Sequence, residues 1–145
     1  MILIKNQQKK IEISESRIRK TARKILKDLG CPDCEISILM VDDMWIEKIN
    51  KHYLSRSGPT NVISFPMAEG DFAGINPHVL GDVVISVETA KRQAEESEIS
   101  MEEMLDFFLI HGILHLLGYD HEGSVAEAQV MRAKEKELFA NTIKH

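Results

Sequence analysis

Three histidines are the residues of this chain best placed to do chemistry. His111, His115 and His121 fall within the apolar run HGILHLLGYDH (111–121). On a helix, residues four apart share one face about a turn apart, so the first two imidazoles can point at one cation. Gly118 is the residue type that ends a helix and turns the chain back, and His121 follows three residues later. The spacing predicts a metal centre with three histidine ligands.

Zinc is the metal that this set of ligands favours. Catalytic zinc sites use three protein ligands and leave a fourth position for water. Without a metal, each buried ring would need its own partner, and an unpaired one costs roughly 1–3 kcal/mol. We therefore expect one zinc ion per chain, although other divalent transition metals such as nickel or copper also suit imidazole.

The same histidine spacing occurs in metzincin proteases, which have a glutamate as general base directly after the first histidine. That position is Gly112 here. A peptidase mechanism would need a carboxylate from elsewhere, so a metalloprotease-like hydrolase is the less favoured alternative.

Length and composition predict a single domain, residues 1–145, in the cytoplasm. No segment approaches the roughly 20 apolar residues of a membrane span, and no membrane partner is expected. The N-terminus has its apolar residues before its lysines, the reverse of a secretory signal. Cys31 and Cys34 lie between a predicted helix and a predicted strand, where we expect an ordinary turn with reduced thiols.

The charge is unevenly distributed along the chain. The formal net charge is −5, but residues 1–30 hold nine Lys and Arg against three Asp and Glu. Several of these cations follow one side of a predicted helix between Ser14 and Leu29: Arg17, Lys20, Arg23, Lys24 and Lys27. This side is either a solvated face or a stripe that faces phosphates.

Periodicity predicts a layered α/β or α+β domain, and of the two we expect α+β: a small mixed four-stranded sheet packed by about five helices in the order β-α-β-α-β-β-α-α-α. Ile36, Ile38 and Met40 alternate on one face of the second strand, and Asp42 or Asp43 can cap the next helix. Ser100 and Glu103 form a capping box before the helix that carries His111 and His115.

Residues 10–13 are a further candidate strand segment. The strands around the 68–78 loop are expected to be antiparallel. A last helix, Val125 to Ala140, is expected to bury Val130, Leu138 and Phe139.

HGILHLLGYDHE resembles the signature of the YbeY family, metal-dependent endoribonucleases of ribosomal RNA maturation. The similarity runs from about residue 29 to 122. It includes NKHYLSRSGPTNVISFPM (50–67), with Pro59, Thr60, Asn61, Val62, Ser64 and Phe65, as well as LGDVVIS (80–86) and VDD (41–43). The resemblance implies a mixed four-stranded sheet with surrounding helices and a metal site in a cleft.

The resemblance also implies a function: a single-strand endoribonuclease in ribosomal RNA processing and ribosome quality control. Its partners would be ribosomal RNA and the ribosome or its proteins, with no DNA. The family commonly has an arginine, thought to face the substrate phosphate, where this chain has Leu54, and the nearest arginine is Arg56. A loop could still deliver Arg56 to the same place, and the alternative is a solvated loop residue.

The catalytic residues are otherwise not assigned. Asp120 and Glu122 flank His121 and could act as base or orient a ring, and Asp82 could be a hinge, a cap or a residue that orients a ligand. A rival function from another class is a ribosome-associated RNA-binding assembly factor whose metal is mainly structural. The excess of acidic residues in most of the chain favours this rival, as does an arginine that lies two positions later than in the family. A metal coordination position left open for water favours the enzyme.

Overall fold

The structure is a computed structural model that describes residues 1–54, 61–67, 78–119 and 124–143. Within these ranges a four-stranded sheet has the order β1-β2-β4-β3. The strands are β1 (Ile2–Asn6), β2 (Glu35–Val41), β3 (Val62–Pro66) and β4 (Val79–Ser86). β1, β2 and β4 are parallel, and β3 runs antiparallel to β4 at one edge. The expected antiparallel pair is confirmed.

Five helices pack around this sheet in the described ranges: α1 (Glu15–Asp28), α2 (Asp43–Leu54), α3 (Val87–Ser97), α4 (Met101–Leu116) and α5 (Val125–Ile143). The predicted α+β class and element order are therefore confirmed. Residues 10–13 form no strand. There the Gln8 side chain accepts a hydrogen bond from the Ile11 amide and donates one to its carbonyl, which satisfies backbone groups that a strand would pair.

The main core lies on one face of the sheet. Ile36, Ile38 and Met40 of β2 are buried there, as their alternation predicts, beside Val83 and Ile85 of β4. Side chains of α1, α3, α4 and α5 complete this cluster. The opposite face carries a smaller cluster beneath α2, formed by Val41, Ile46, Ile63 and Val84. The helix that carries His111 and His115, α4, therefore packs on the face of the sheet that has the larger core.

α4 crosses this core with ten of its sixteen residues buried. Its start is fixed by the predicted capping box, in which Ser100 and Glu103 each bond the other's backbone amide. Its end is fixed by Gly118, which has a φ of +96° and is followed by a Tyr119 amide that returns to the Leu114 carbonyl. A helix anchored at both ends holds its last turn, with His115, in a defined place.

The two aspartates after β2 have separate roles. Asp42 caps α2, because its carboxylate accepts from the Trp45 amide at 2.9 Å. Asp43 joins α2 to α3: it accepts from the Ser86 and Thr89 hydroxyls, both at 2.6 Å, and from Arg92 at 3.1 Å.

Cys31 and Cys34 lie between α1 and β2, as predicted, and both thiols are free. Burial, reinforced by the neighbouring Cys34, raises the pKa of the Cys31 thiol to about 11. The thiolate is the reactive form of cysteine, so Cys31 is a poor nucleophile near neutral pH. In the described residues no helix is both long and apolar enough to cross a membrane.

Candidate metal centre

The structure brings two of the three predicted ligands together. His111 and His115 lie on one side of α4, with 3.1 Å between their Nε2 atoms. Their ring centroids are 4.6 Å apart and the rings are inclined by 75°. Both rings are half-buried, so their Nε2 atoms converge at the margin of the core.

The spacing of these two atoms fits a shared metal ion. Two nitrogens at about 2.0–2.1 Å from a tetrahedral zinc are roughly 3.3 Å apart, close to the 3.1 Å between the Nε2 atoms here. Without a metal, one of the two Nε2 atoms must carry a proton to form a hydrogen bond with the other. When neither Nε2 atom carries a proton, the lone pairs of both can bind one cation.

Glu135 of α5 contacts one of these rings. Its Oε2 lies 3.0 Å from Nδ1 of His111, on the side of the ring away from His115. The Glu135 side chain is 10% exposed and that of His111 24%. A carboxylate on the second nitrogen of a histidine is the usual outer partner of a metal ligand, because it fixes the tautomer and the direction of the ring.

Sequence reasoning missed Glu135 because it misplaced part of the buried face of α5, although Leu138 is buried as predicted and Phe139 packs against the core. Val130, expected to be buried, is 59% exposed. The buried positions instead are Ala128, Met131, Glu135 and Leu138, spaced by three and four residues. One signal was available in the sequence: Glu135 lies four residues after Met131 and three before Leu138, so it shares their face of the helix. An acidic residue is rarely buried without a specific partner, so its position on this face indicates one.

Gly112, the position of the protease glutamate, faces the sheet. A Cβ atom there would lie 2.6 Å from Cγ1 of Val83 and 3.2 Å from Cγ2 of Val62. The Ser64 hydroxyl donates to the Gly112 carbonyl at 2.8 Å, which ties the edge strand β3 to the histidine turn of α4. Glycine is thus needed for close packing, and a glutamate base does not fit here.

Several expected site residues lie outside the described residues. These are His121 among the ligands, Arg56 as the substrate-binding residue, and Asp120 and Glu122 as the flanking carboxylates. Leu54 is the last residue of α2. In the ranges that the structure does describe, no three His, Cys, Asp or Glu side chains converge as a metal cage.

Asp82 lies on the opposite face of the sheet from the helix that carries His111 and His115. Its neighbour in sequence, Val83, contacts the Gly112 position on α4, and successive side chains of a strand point to opposite faces. Asp82 lies with Leu39 and Trp45 along a cavity of about 950 Å³ on the α2 side of the sheet. Asp82 is therefore not a partner of His111 or His115.

The basic side of α1 is only partly available to a ligand. Arg17 binds both oxygens of the buried Asp106 carboxylate, at 3.1 and 2.8 Å, and Lys24 pairs with Asp28 at 3.0 Å. Lys20, Arg23 and Lys27 are exposed. Of the five cations on this side of α1, two therefore form ion pairs within the protein and three are exposed to solvent.

Comparisons with known proteins agree with this architecture. The family described as Endoribonuclease YbeY matches residues 3–143. Endoribonuclease YbeY of Syntrophotalea carbinolica is 52% identical over 141 residues, covering 97% of this chain and 94% of the relative. The Aquifex aeolicus protein of the same name is 42% identical over 136 residues, covering 94% and 89%.

A solved structure is similar along nearly the whole chain. The solution structure of TM1509 from Thermotoga maritima matches with a TM-score of 0.68 and 25% identity, and the match covers 98% of this chain and 89% of that one. The predicted fold, the family resemblance and the enzyme class, a hydrolytic nuclease, are confirmed. The chain belongs to the YbeY family of endoribonucleases.

Proposed function

We propose that the chain is a zinc-dependent endoribonuclease that cleaves single-stranded ribosomal RNA during its maturation and in ribosome quality control. Its location would be the cytoplasm, and its partners would be the ribosome or ribosomal proteins. The observation that carries the proposal is the pair of Nε2 atoms 3.1 Å apart on α4, in a chain whose curated relatives are named endoribonucleases.

His111, His115 and His121 would hold the ion. The described pair already converges, and His121 follows Gly118, where the chain leaves the helix. A zinc ion bound there would supply Lewis acidity toward a phosphoryl oxygen and a water whose pKa falls toward about 7. The chain's own residues must then bind and orient the RNA and neutralise its charge.

Arg56 is the proposed substrate-binding residue. A guanidinium can bind two phosphate oxygens at once, which places a phosphodiester as well as neutralising it. Arg56 follows the end of α2 at Leu54 by two residues. On α1, Lys20, Arg23 and Lys27 are exposed and could contact the backbone of a longer RNA.

A second candidate is an RNA-binding assembly factor of the ribosome whose metal is mainly structural. Two observations favour it: residues 31–145 hold twenty Asp and Glu against nine Lys and Arg, and Leu54 stands where the family has an arginine. A metal that is only structural would stabilise the junction of α4 and α5, and its removal would unfold the protein.

The experiment is cleavage of an end-labelled single-stranded RNA by zinc-loaded protein. The variant is His115→Ala, purified identically, and the matched control is His78→Ala, which changes an exposed histidine before β4. We expect cleavage by the wild type and by His78→Ala, and none by a folded His115→Ala protein. Because the missing ring would be a ligand, added zinc should not restore activity.

Equal cleavage by His115→Ala and the wild type would contradict the enzyme proposal, since the activity would then not depend on the histidine pair. A chelated wild-type protein that loses its cooperative thermal transition would favour the structural metal instead. Both measurements use the same three preparations, so the two functions are separated in one series.

A further inference from the structure

Glu135 is a buried carboxylate for which RNA hydrolysis, as proposed, has no direct use. It lies on the core-facing side of α5, between Met131 and Leu138. A carboxylate in this position is strongly unfavourable unless it is paired. Its partner therefore indicates why an acidic residue is placed there.

The partner is an imidazole of another helix. Lys134, the residue before Glu135, pairs with Glu137 at 3.2 Å. Glu135 instead crosses to α4 and reaches Nδ1 of His111 at 3.0 Å. The buried carboxylate is thus directed at the histidine pair and not at the neighbouring cation.

This contact decides which nitrogen of His111 is available to a metal. An ionised carboxylate can only accept a hydrogen bond, so Nδ1 must carry the proton. In a neutral ring the unprotonated nitrogen is then Nε2, the atom that lies 3.1 Å from Nε2 of His115. A contact that only held α4 and α5 together could use either nitrogen of the ring. The contact at Nδ1 leaves the lone pair of Nε2 facing His115.

We propose that Glu135 is a positioning residue of the metal centre, whose carboxylate holds His111 as the Nδ1–H tautomer with Nε2 directed at the ion. This inference rests on the proposed function and deepens it. It requires only the contacts of α4 and α5 within the described residues. Outer partners of this kind also make the ligand more basic, and their loss typically lowers metal affinity about 10–100-fold.

The first test is zinc affinity, measured by competition with a chromogenic chelator. The variants are Glu135→Ala and Glu135→Gln, with Glu137→Ala as the matched control, because Glu137 is 59% exposed on the same helix. We expect Glu135→Ala to bind zinc about 10–100-fold more weakly. Glu135→Gln should be intermediate, because its amide oxygen can accept the same hydrogen bond without the charge. Glu137→Ala should match the wild type.

The second test needs no metal. Nitrogen-15 NMR of the metal-free protein, at a pH where the ring is neutral, reports which nitrogen of His111 carries the proton. We expect Nδ1–H in the wild type and in Glu137→Ala, and a shift of population toward Nε2–H in Glu135→Ala. A residue with only a bracing role would change the melting temperature but neither the tautomer nor the zinc affinity.

The outcomes separate this inference from the function on which it rests. Wild-type zinc affinity in Glu135→Ala would overturn the positioning role while leaving the metal centre in place. If the alanine variant did not fold, wild-type affinity in Glu135→Leu, whose side chain has a similar size but no acceptor oxygen, would overturn it equally. A wild-type protein that bound no zinc would overturn both proposals.

Discussion

Arg17 of α1 donates two hydrogen bonds to the carboxylate of Asp106 on α4, at 3.1 and 2.8 Å. The Asp106 side chain is 4% exposed, and it precedes His111 by five residues on the same helix. Burial raises the pKa of the Asp106 carboxyl above its ordinary value of 3.8, and the hydrogen bonds and charge of Arg17 only partly oppose this effect. The contact therefore joins the N-terminal helix to the helix of the candidate metal centre.

Replacing Arg17 with alanine should lower the free energy of unfolding by about 1–3 kcal/mol at neutral pH, because it removes the cation from a buried carboxylate. Urea denaturation measures this loss. Lys20→Ala, an exposed position on the same helix, should change stability by no more than about 0.5 kcal/mol. Equal effects of the two substitutions would show that the Arg17 contact contributes little.

The same pair predicts a pH dependence with a definite sign. A carboxyl whose folded pKa is raised opposes folding when ionised, and this penalty is relieved as the pH falls through the folded pKa. Without Arg17 the pKa of Asp106 should rise further. The stability difference between the wild type and Arg17→Ala should therefore be largest near pH 7.5 and smaller near pH 5. A difference that grows on acidification would contradict this account.

Asp43 should show the opposite sign. Burial pushes the pKa of its carboxyl upward, but the hydrogen bonds from Ser86, Thr89 and Arg92 outweigh it, and the pKa lies below the ordinary 3.8. Its stabilisation is present above pH 3.8 and is lost as the pH falls through the lowered folded pKa.

Asp43→Asn should therefore cost about 1–3 kcal/mol near pH 6, the range for hydrogen bonds to a charged group. The difference from the wild type should shrink below pH 3.8. Denaturation curves collected at several pH values test this, with Asp28→Asn as the control for a one-turn pair with Lys24 on the surface of α1. A pH-independent difference would argue against an ionised Asp43.

Gly112→Ala should destabilise the protein by about 1–3 kcal/mol, the usual cost of overpacking a core. The added methyl would meet Cγ1 of Val83, whose branched side chain has little rotamer freedom. Val83→Ala should recover part of this loss in the double variant, because it removes the clashing atom. A double-mutant cycle by urea denaturation measures the coupling, and simple additivity would mean that the two residues do not compete for space.

The exposed cations of α1 should contribute to RNA affinity through charge alone. Replacing Lys20, Arg23 and Lys27 together with alanine should reduce the slope of log affinity against log salt by roughly 2, at about 0.7 per phosphate contact on a single strand. Filter binding of a single-stranded RNA at several salt concentrations measures this slope. An unchanged slope would assign the stripe to the solvated-face alternative.

Local patterns were enough to predict most of the fold. The alternation of Ile36, Ile38 and Met40, the Ser100–Glu103 capping box and the Gly118 stop each depend on neighbours within a few residues. Such signals act over one strand or one helical turn, and the sequence shows them directly. The convergence of His111 and His115 on one side of α4 was predictable for the same reason.

Contacts between helices were not predictable in this way. Arg17 looks like Lys20 and Arg23 in the sequence, and only the crossing of α1 and α4 pairs it with Asp106. Glu135 was missed because the buried face of α5 depends on how that helix meets α4, and Val130 was as good an apolar candidate as Met131. Both the Arg17–Asp106 pair and the burial of Glu135 depend on how helices pack together, which the local spacing of residues does not show.

The close approach of α4 to the sheet at Gly112 also limits which chemistries this scaffold can reach by mutation. A glutamate at this position, the step that would complete a protease-like motif, would have to displace Val83 and Val62 before it could approach any substrate. A substitution to glutamate would therefore need smaller side chains at Val83 and Val62 first. A single glycine, packed against a strand, thus separates this site from a protease-like site with the same histidine spacing.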